Sequence, residues 1–583
     1  MNKVVTLVLI AFLTACSSAT PQTSASAVNT SISDQAMVVT ANPHASKAGL
    51  EILQAGGSAV DAAIAIEAVL SLVEPQSSGL GGGGFMTYFD SKTKQVVTYD
   101  GREAAPSKAH ENMFLDSSGE RLGFIQAKHS GLSIGVPGMI AMLEMAHLEH
   151  GKLAWGRHFD YAKRLAVEGF EVSPRLNSSI ARFSERFPKT SEEGPSDAFD
   201  YFHDEQGQPL AIGTKLRNPD YANTLSLVAK SPKNFYQGEI ANQILEQVSK
   251  TPRQGSLSLN DIASYRAQKR QALCVDYRKT KACGPQPASS WVTVGEILGL
   301  LEHGPSFSDK GADDPNNWAI FAEAQRLAYA DRDRYIADDN FIEVPLDGLL
   351  SDEYLQQRAK LISKDKAADV VIAGEPWKYQ RRSHTQQGKD ATLDVAGTTH
   401  FVVVDKDGNV VSLTASVESI FGSTRMAGGM FLNNQLTDFS FKAKDDNGDL
   451  IANRVGPNKR PRSSMSPTIM LDSNGDFLMA TGSPGGSSII AYNAKTIVGV
   501  VDWGLSPQQA IELPNMVARG ERVRIEQSRA DGHIIEGLRD YGYAVKESAG
   551  ENSGLSMVLK HPDGKLEGGV DPRREGTIET INF

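Results

Sequence analysis

The stretch TTHFVVVDKDGNVVSLTAS, residues 398–416, constrains the fold more than any other part of the chain. Two runs rich in β-branched residues flank Asp407-Gly408, a dipeptide that favours a tight two-residue turn of type I′. With those two residues as the loop, Lys406 faces Asn409, Thr399 faces Ser416 and Thr398 faces Val417. Ser416 and Glu418 then fall beside the Gly397–Thr398 bond, so polar side chains from both strands converge on one strand end. A solvated strand end would explain that. So would chemistry, provided something activates a threonine, whose hydroxyl is a poor nucleophile without an adjacent base. Cleavage before Thr398 supplies one, because the freed α-amine, with a pKa of about 8, stays within reach of its own hydroxyl. The same hydroxyl can make the cut by attacking the Gly397 carbonyl in an N-to-O acyl shift, and glycine admits the backbone geometry this needs.

A chain of 583 residues is large enough for a multilayer domain or several domains, and 40% apolar with 22% charged residues fits a soluble globular protein. The formal net charge of −11 argues against a nucleic-acid surface. MNKVVTLVLIAFLTAC opens with Lys3 and an apolar run shorter than the roughly 20 residues of a membrane span, which reads as an export signal. LTAC resembles a bacterial lipobox, making residues 1–15 a signal peptide, Cys16 the lipidated N-terminus and 16–35 a small, polar tether. Ser17 favours the outer membrane facing the periplasm; if Cys16 carries no lipid, the protein is soluble there. The other cysteines, Cys274 and Cys283, flank a segment able to turn back on itself. In an exported chain they suit a disulfide; a zinc pair lacks a matching second pair, and free thiols are the third reading.

Residues 44–72 read as two helices, the first stopped by Gly56-Gly57 and the second capped by Ser58 with Asp61 three residues on. The second is apolar almost all round and is expected to be buried. The glycine loop in EPQSSGLGGGGFM lacks the Gly-Lys-Ser/Thr ending of a phosphate loop and points to close backbone packing near a site. Residues 134–170, 217–248 and 316–338 carry helical periodicity, whereas the chain after 397 turns to short β-branched strands. No fixed-period repeat is present. Sheets sandwiched between helices are the expected α/β (α+β) architecture.

Eight blocks, in order, resemble the γ-glutamyltranspeptidase family of N-terminal-nucleophile hydrolases: NPHASKAGLEILQAGGSAVDAAIA, EPQSSGLGGGGFM, DGREAAP, TTHFVVVDKDGN, FLNNQLTDFS, GPNKRPRSSMSPTIML, TGSPGGSSII and GVDPRREG. The resemblance implies a four-layer αββα sandwich built jointly by two chains, 36–397 and 398–583, after autocleavage between Gly397 and Thr398. It makes Thr398 the nucleophile, with Thr399 hydrogen-bonding to it. Arg102, Ser463 and Ser464 would hold the substrate α-carboxylate, a task suited to a guanidinium fork. Asp438, Gln435, Ser416 and Glu418 surround the α-ammonium, and Gly485-Gly486 form the oxyanion hole. The implied substrates are glutathione and other γ-glutamyl compounds, with water or an amino acid or peptide as acceptor, and no cofactor or metal. His400 points to the opposite strand face from Thr399 and reads as a structural hydrogen-bonder.

Three departures stand out. Gly101 replaces an aromatic common in the family, which would open the pocket beside Arg102. Glu418 replaces an asparagine. The segment 441–461, in the place of the family's lid, is short and has no tyrosine, leaving the balance of hydrolysis and transfer open. A glutaryl or cephalosporin acylase of the same fold is the nearest rival, against which Asp438 and Glu418 speak. An inactive lipid-anchored binding protein is another, against which the oxyanion glycines speak.

Overall fold

The computed structural model of the chain describes residues 32–33, 35–190, 193–380, 386–392 and 397–581. Cys16 and the signal segment lie outside them. Fourteen strands form two seven-stranded sheets. In chain order they are β1 (Ile32–Ser33), β2 (Ala36–Thr40), β3 (Gly83–Asp90), β4 (Gln95–Asp100), β5 (Gln268–Gln271), β6 (Leu273–Tyr277) and β7 (Thr280–Gly284), then β8 (Thr398–Val404), β9 (Val410–Ser416), β10 (Thr468–Leu471), β11 (Phe477–Gly482), β12 (Ser556–Lys560), β13 (Leu566–Val570) and β14 (Thr577–Ile581). One sheet runs β14-β2-β8-β9-β3-β4-β5 and the other β1-β13-β12-β11-β10-β7-β6.

Alternation along the central strands builds the layers. Phe401, Val403, Val411 and Leu413 pack with helices α1 (Pro43–Gln54) and α2 (Ala59–Val73) on the outer face of the first sheet. Val402, Val404 and Val410 face the second sheet and meet Ile469, Ala480 and Val558. The outer face of that sheet is covered by α3 (Trp291–His303), α4 (Pro315–Tyr335) and α5 (Ile489–Val501). Both faces of the central strands are dry, which is why they read as near-continuous apolar runs. Helix α2 is buried at every position and carries the Ser58/Asp61 capping box. The helix expected over 134–170 breaks at Gly151, and that over 217–248 breaks at Pro232 and Gly238.

The β8–β9 turn departs from expectation by one residue. Asp405 N–H donates to the Asn409 carbonyl (3.0 Å) and Gly408 N–H to the Asp405 carbonyl (2.9 Å), so the loop is Lys406-Asp407-Gly408 with Gly408 at φ +81°. The Asp405 carboxylate wins the register by accepting the N–H groups of Asp407 and Asn409, each at 3.0 Å. Thr398 therefore faces Ser416, and Thr399 faces Ala415.

Cys274 and Cys283 face each other across the β6–β7 hairpin and are disulfide-bonded. The tether does not extend to residue 35: Ile32 and Ser33 pair with Glu567 and Leu566, and the Ser33 hydroxyl donates to the carbonyls of Ala36 and Ile581.

Asp61, His147 and His158 bring ligand-type atoms within 4.8 Å of one another. Hydrogen bonds already occupy them. Asp61 accepts from His158 Nε2 (2.9 Å) and from the N–H groups of Ser58, Lys152 and Leu153, while His147 Nε2 contacts the Leu153 carbonyl. The group pins the start of α2 to the loop that follows His150.

Candidate active site

Thr398 opens β8 in the middle of its sheet and is 4% exposed. Its Oγ1 donates to Ser416 Oγ at 3.1 Å. Ser416 Oγ in turn donates to the Gly397 carbonyl at 2.7 Å and accepts the Glu418 N–H at 2.8 Å. One hydroxyl thus orients the threonine, polarises the carbonyl of the bond before it and anchors the next loop. That loop is strained, with positive φ at Glu418 (78°), Phe421 (62°) and Thr424 (64°), the kind of geometry retained at functional sites. Gly397 has no room for a side chain, since a Cβ would lie 2.4 Å from the Glu418 carbonyl oxygen.

Thr399 does not take the part the resemblance gave it. The pleat turns it to the helical face, where its Oγ1 is buried without a hydrogen-bond partner among the described residues. Ser416, brought opposite Thr398 by the register, holds that place. His400 points between the sheets, its Nδ1 2.9 Å from Thr414 Oγ1, and burial pushes it down to about 3, so it stays neutral.

The four-glycine loop explains how two backbones come this close. A Cβ on Gly82 would lie 2.1 Å from the Ser416 carbonyl oxygen, and one on Gly81 2.0 Å from that of Phe431. Gly101 is different from what was expected. It faces Met142 Cβ (2.7 Å from a built Cβ) and the Gly138 carbonyl, so it makes room for a helix and not for a ligand.

Arg102 is fully buried. It donates from Nε to the Pro461 carbonyl (3.0 Å) and from Nη2 to the Arg462 carbonyl (2.8 Å) and Asp438 Oδ2 (2.5 Å). Its Nη1 has no hydrogen-bond partner among the described residues, and the Glu103 carboxylate stands 3.8 Å away. Gln435 Nε2 donates to the same Asp438 oxygen at 2.9 Å. Ser464 Oγ accepts from Arg332 Nη2 (2.6 Å) on α4, and Ser463 Oγ accepts the Met465 N–H (3.1 Å). Glu418 is held by Ser419 and Asn434 through Oε2, while Oε1 has no partner among the described residues. Burial, then the charge of Asp438, push its carboxyl up to about 8. Burial likewise pushes the nearby Lys128 ammonium down to about 8, opposed by Glu418.

Arg102, Glu418, Gln435, Asp438, Ser463 and Ser464 meet in one cleft that also includes Thr398, Ser416 and Gly486. The cleft, crossed by the Arg102–Asp438 pair, holds about 20 Å³, the room of a single water. An entering zwitterion would exchange that pair for one bond to each of its own charged ends. Gly485 (φ 139°) and Gly486 (φ 58°) form the turn before α5, in backbone conformations that favour glycine. No residue of the segment 441–461 lines the cleft, though its Pro461 carbonyl and Asn453 amide hold Arg102 and Asp438 from behind. Several of its residues wall a separate groove of about 550 Å³ with Arg121, Lys389 and Thr437.

Three residues escaped sequence reasoning. Arg332 sits in the charged triplet Asp331-Arg332-Asp333 of an otherwise deeply buried helix, a legible but unspecific signal. Asn434 lies in FLNNQLTDFS and Arg574 in GVDPRREG, blocks recognised without a role for these positions. Arg574 Nη1 donates to the Thr398 carbonyl at 2.9 Å.

Two stacked antiparallel sheets between helical layers, with a buried threonine at the head of a central strand, define an N-terminal-nucleophile hydrolase. The sequence model of the gamma-glutamyltranspeptidase family matches residues 45–581, and the chain belongs to that family. It is 34% identical over 557 residues to the glutathione hydrolase proenzyme of Bacillus subtilis strain 168, covering 94% of this chain and 92% of the relative. It is also 34% identical over 554 residues to the glutathione hydrolase proenzyme of Escherichia coli strain K12, covering 92% and 90%. A solved cephalosporin acylase from Bacillus halodurans superimposes with a TM-score of 0.82 at 26% identity, covering 95% of this chain and 97% of that one.

Proposed function

We propose that the protein is a self-processing γ-glutamyltransferase and glutathione hydrolase whose nucleophile is Thr398. The observation that carries this reading is the chain of contacts from Thr398 Oγ1 through Ser416 Oγ to the Gly397 carbonyl, beside a buried arginine and carboxylate. In the precursor, Thr398 Oγ attacks the Gly397 carbonyl carbon while Ser416 donates to the carbonyl oxygen. The C–N bond breaks as the nitrogen takes the hydroxyl proton, leaving an ester and a free Thr398 amine, and water hydrolyses the ester to restore the Thr398 hydroxyl and leave a new carboxyl terminus at Gly397. The mature enzyme is then a heterodimer of 36–397 and 398–583.

In turnover the amine takes the hydroxyl proton as Oγ attacks the γ-carbonyl of the substrate, and passes it to the departing amine. Arg102, with Ser463 and Ser464, receives the α-carboxylate; Asp438, Gln435 and Glu418 receive the α-ammonium; the N–H groups of Gly485 and Gly486 receive the oxyanion. Water or an amino acid or peptide takes the acyl group. Export, lipidation of Cys16 and residence at the outer membrane facing the periplasm belong to the same proposal.

A glutaryl amidase is the second reading, favoured by the likeness to the cephalosporin acylase. It has no use for an ammonium site with two carboxyl groups, those of Asp438 and Glu418. The experiment is to purify the protein, sequence the N-terminus of the smaller fragment and assay γ-glutamyl and glutaryl p-nitroanilides, with and without a dipeptide acceptor. Thr398 at that terminus and preference for the γ-glutamyl compound are expected, with Thr398→Ala remaining a single inactive chain. A Thr398→Ala protein that still matures and turns over would overturn the reading.

A further inference from the structure

The turn Asp571–Arg574 has no part in the chemistry so far, yet it reaches the nucleophile. Arg574, 5% exposed at its side chain, donates from Nη1 to the Thr398 carbonyl (2.9 Å) and from Nε to the Ser553 carbonyl (3.0 Å). Gly554 leaves it the space, since a Cβ there would lie 2.4 Å from Arg574 Nε. The backbone nitrogen of a residue lies roughly 3 Å from its own carbonyl oxygen, which puts the Thr398 nitrogen within about 6 Å of the guanidinium. At that range a like charge disfavours protonation of an amine.

The other charges around Thr398 act through pairs or clusters of their own. Asp438 is paired with Arg102, Lys128 offsets Glu418 through space, and Asp571 and Glu526 both bind Arg573. His400, on the same strand, is neutral. The counter-charge of Arg574 is shared. Glu74 stands 3.7 Å from Arg574 Nη1 through Oε2 and is bound at Oε1 by Arg175 Nε at 3.1 Å. Glu575 binds the Arg175 N–H at 2.8 Å and Asp571 also acts on Arg574, so what sets Arg574 apart is contact: its guanidinium is bonded to the Thr398 carbonyl. Burial, then Arg175, push Arg574 itself down to about 9, so it remains charged at neutral pH.

We propose that Arg574 is a positioning residue that sets the basicity of the freed Thr398 amine, holding it uncharged at neutral pH so that it can accept the hydroxyl proton, with Glu74 moderating the effect. This rests on the proposed role of Thr398 and adds what makes its amine a competent base. The same bond fixes the plane of the Thr398–Thr399 peptide and hence the direction of the amine.

The test is the pH profile of kcat/KM for γ-glutamyl p-nitroanilide, measured on matured protein. Arg574→Met is expected to move the acid limb up by about one pH unit, the size expected for one like charge at this range. Arg574→Lys is expected to restore it. Glu74→Gln removes the moderating charge and should move the limb down; it carries the test if Arg574→Met fails to mature. An acid limb unmoved in Arg574→Met, or moved up in Glu74→Gln, overturns the proposal. Wild-type protein that neither cuts before Thr398 nor turns over would instead overturn the functional reading beneath it.

Discussion

Replacing Ser416 by alanine removes three hydrogen bonds at once, and each has a different consequence. The Gly397 carbonyl loses a donor at 2.7 Å, and loss of one donor to a developing oxyanion slows acyl transfer by about a hundred- to a thousandfold. The Glu418 N–H is left buried without its acceptor, which costs roughly 1–3 kcal/mol of stability. Thr398 Oγ1 loses only an orienting partner at 3.1 Å, worth about 1 kcal/mol, or a few-fold in rate. In the proposed mechanism self-cleavage uses the first and third contacts, whereas turnover after the cut uses only the third. Ser416→Ala is therefore expected to slow maturation about a hundredfold or more while lowering kcat by about tenfold or less. Ser416→Thr, which keeps the hydroxyl, should restore both. The assay is a time course of precursor cleavage on denaturing gels, followed by turnover normalised to the cut fraction. Ser416→Ala precursor that matures within about threefold of wild type would refute the reasoning, because the donor would then do nothing for the scissile carbonyl.

Gly82→Ala places a Cβ 2.1 Å from the Ser416 carbonyl oxygen and must displace β9 or the glycine loop. A loss of about 1–3 kcal/mol and impaired maturation are expected; unchanged melting and cleavage would show that the close approach is dispensable. His400 gives a pH dependence of known sign. Burial holds it near 3, below its ordinary 6.5, so between those values the unfolded chain takes a proton that the folded one refuses. Stability falls as pH drops through that window, by up to about 1.4 kcal/mol per unit. Denaturant titrations of His400→Gln should show a shallower loss between about pH 6 and 4, and an identical slope would argue that His400 is protonated in place.

Local rules made some parts of this architecture legible. The burial of α2, its cap at Ser58 and the use of glycines for close backbone approach follow from patterns within a few residues. The hairpin was legible too, but its register was not, because Asp405 competes for the turn through its side chain and displaces the pairing by one residue. That single step decides whether Ser416 meets Thr399 or Thr398. The cleft was legible only through whole sequence blocks. Arg102 and Asp438 are neighbours in space but 336 residues apart in the chain, and nothing local to either shows that they pair. Gly101 misled for the same reason, since its neighbour Met142 lies on a helix that no local pattern connects with it.

The strand order has a consequence for the life of the protein after a cut at Gly397–Thr398. β2, from the first piece, lies between β8 and β14, both from the second; β1 and β13 form another mixed pair, as do β7 and β10. The two products are interwoven through both sheets. Dilution cannot part them, because parting them means tearing both ladders and the apolar layer between. Losing a partner and losing the fold are then one event, so a heterodimer made this way has no measurable affinity apart from its own unfolding.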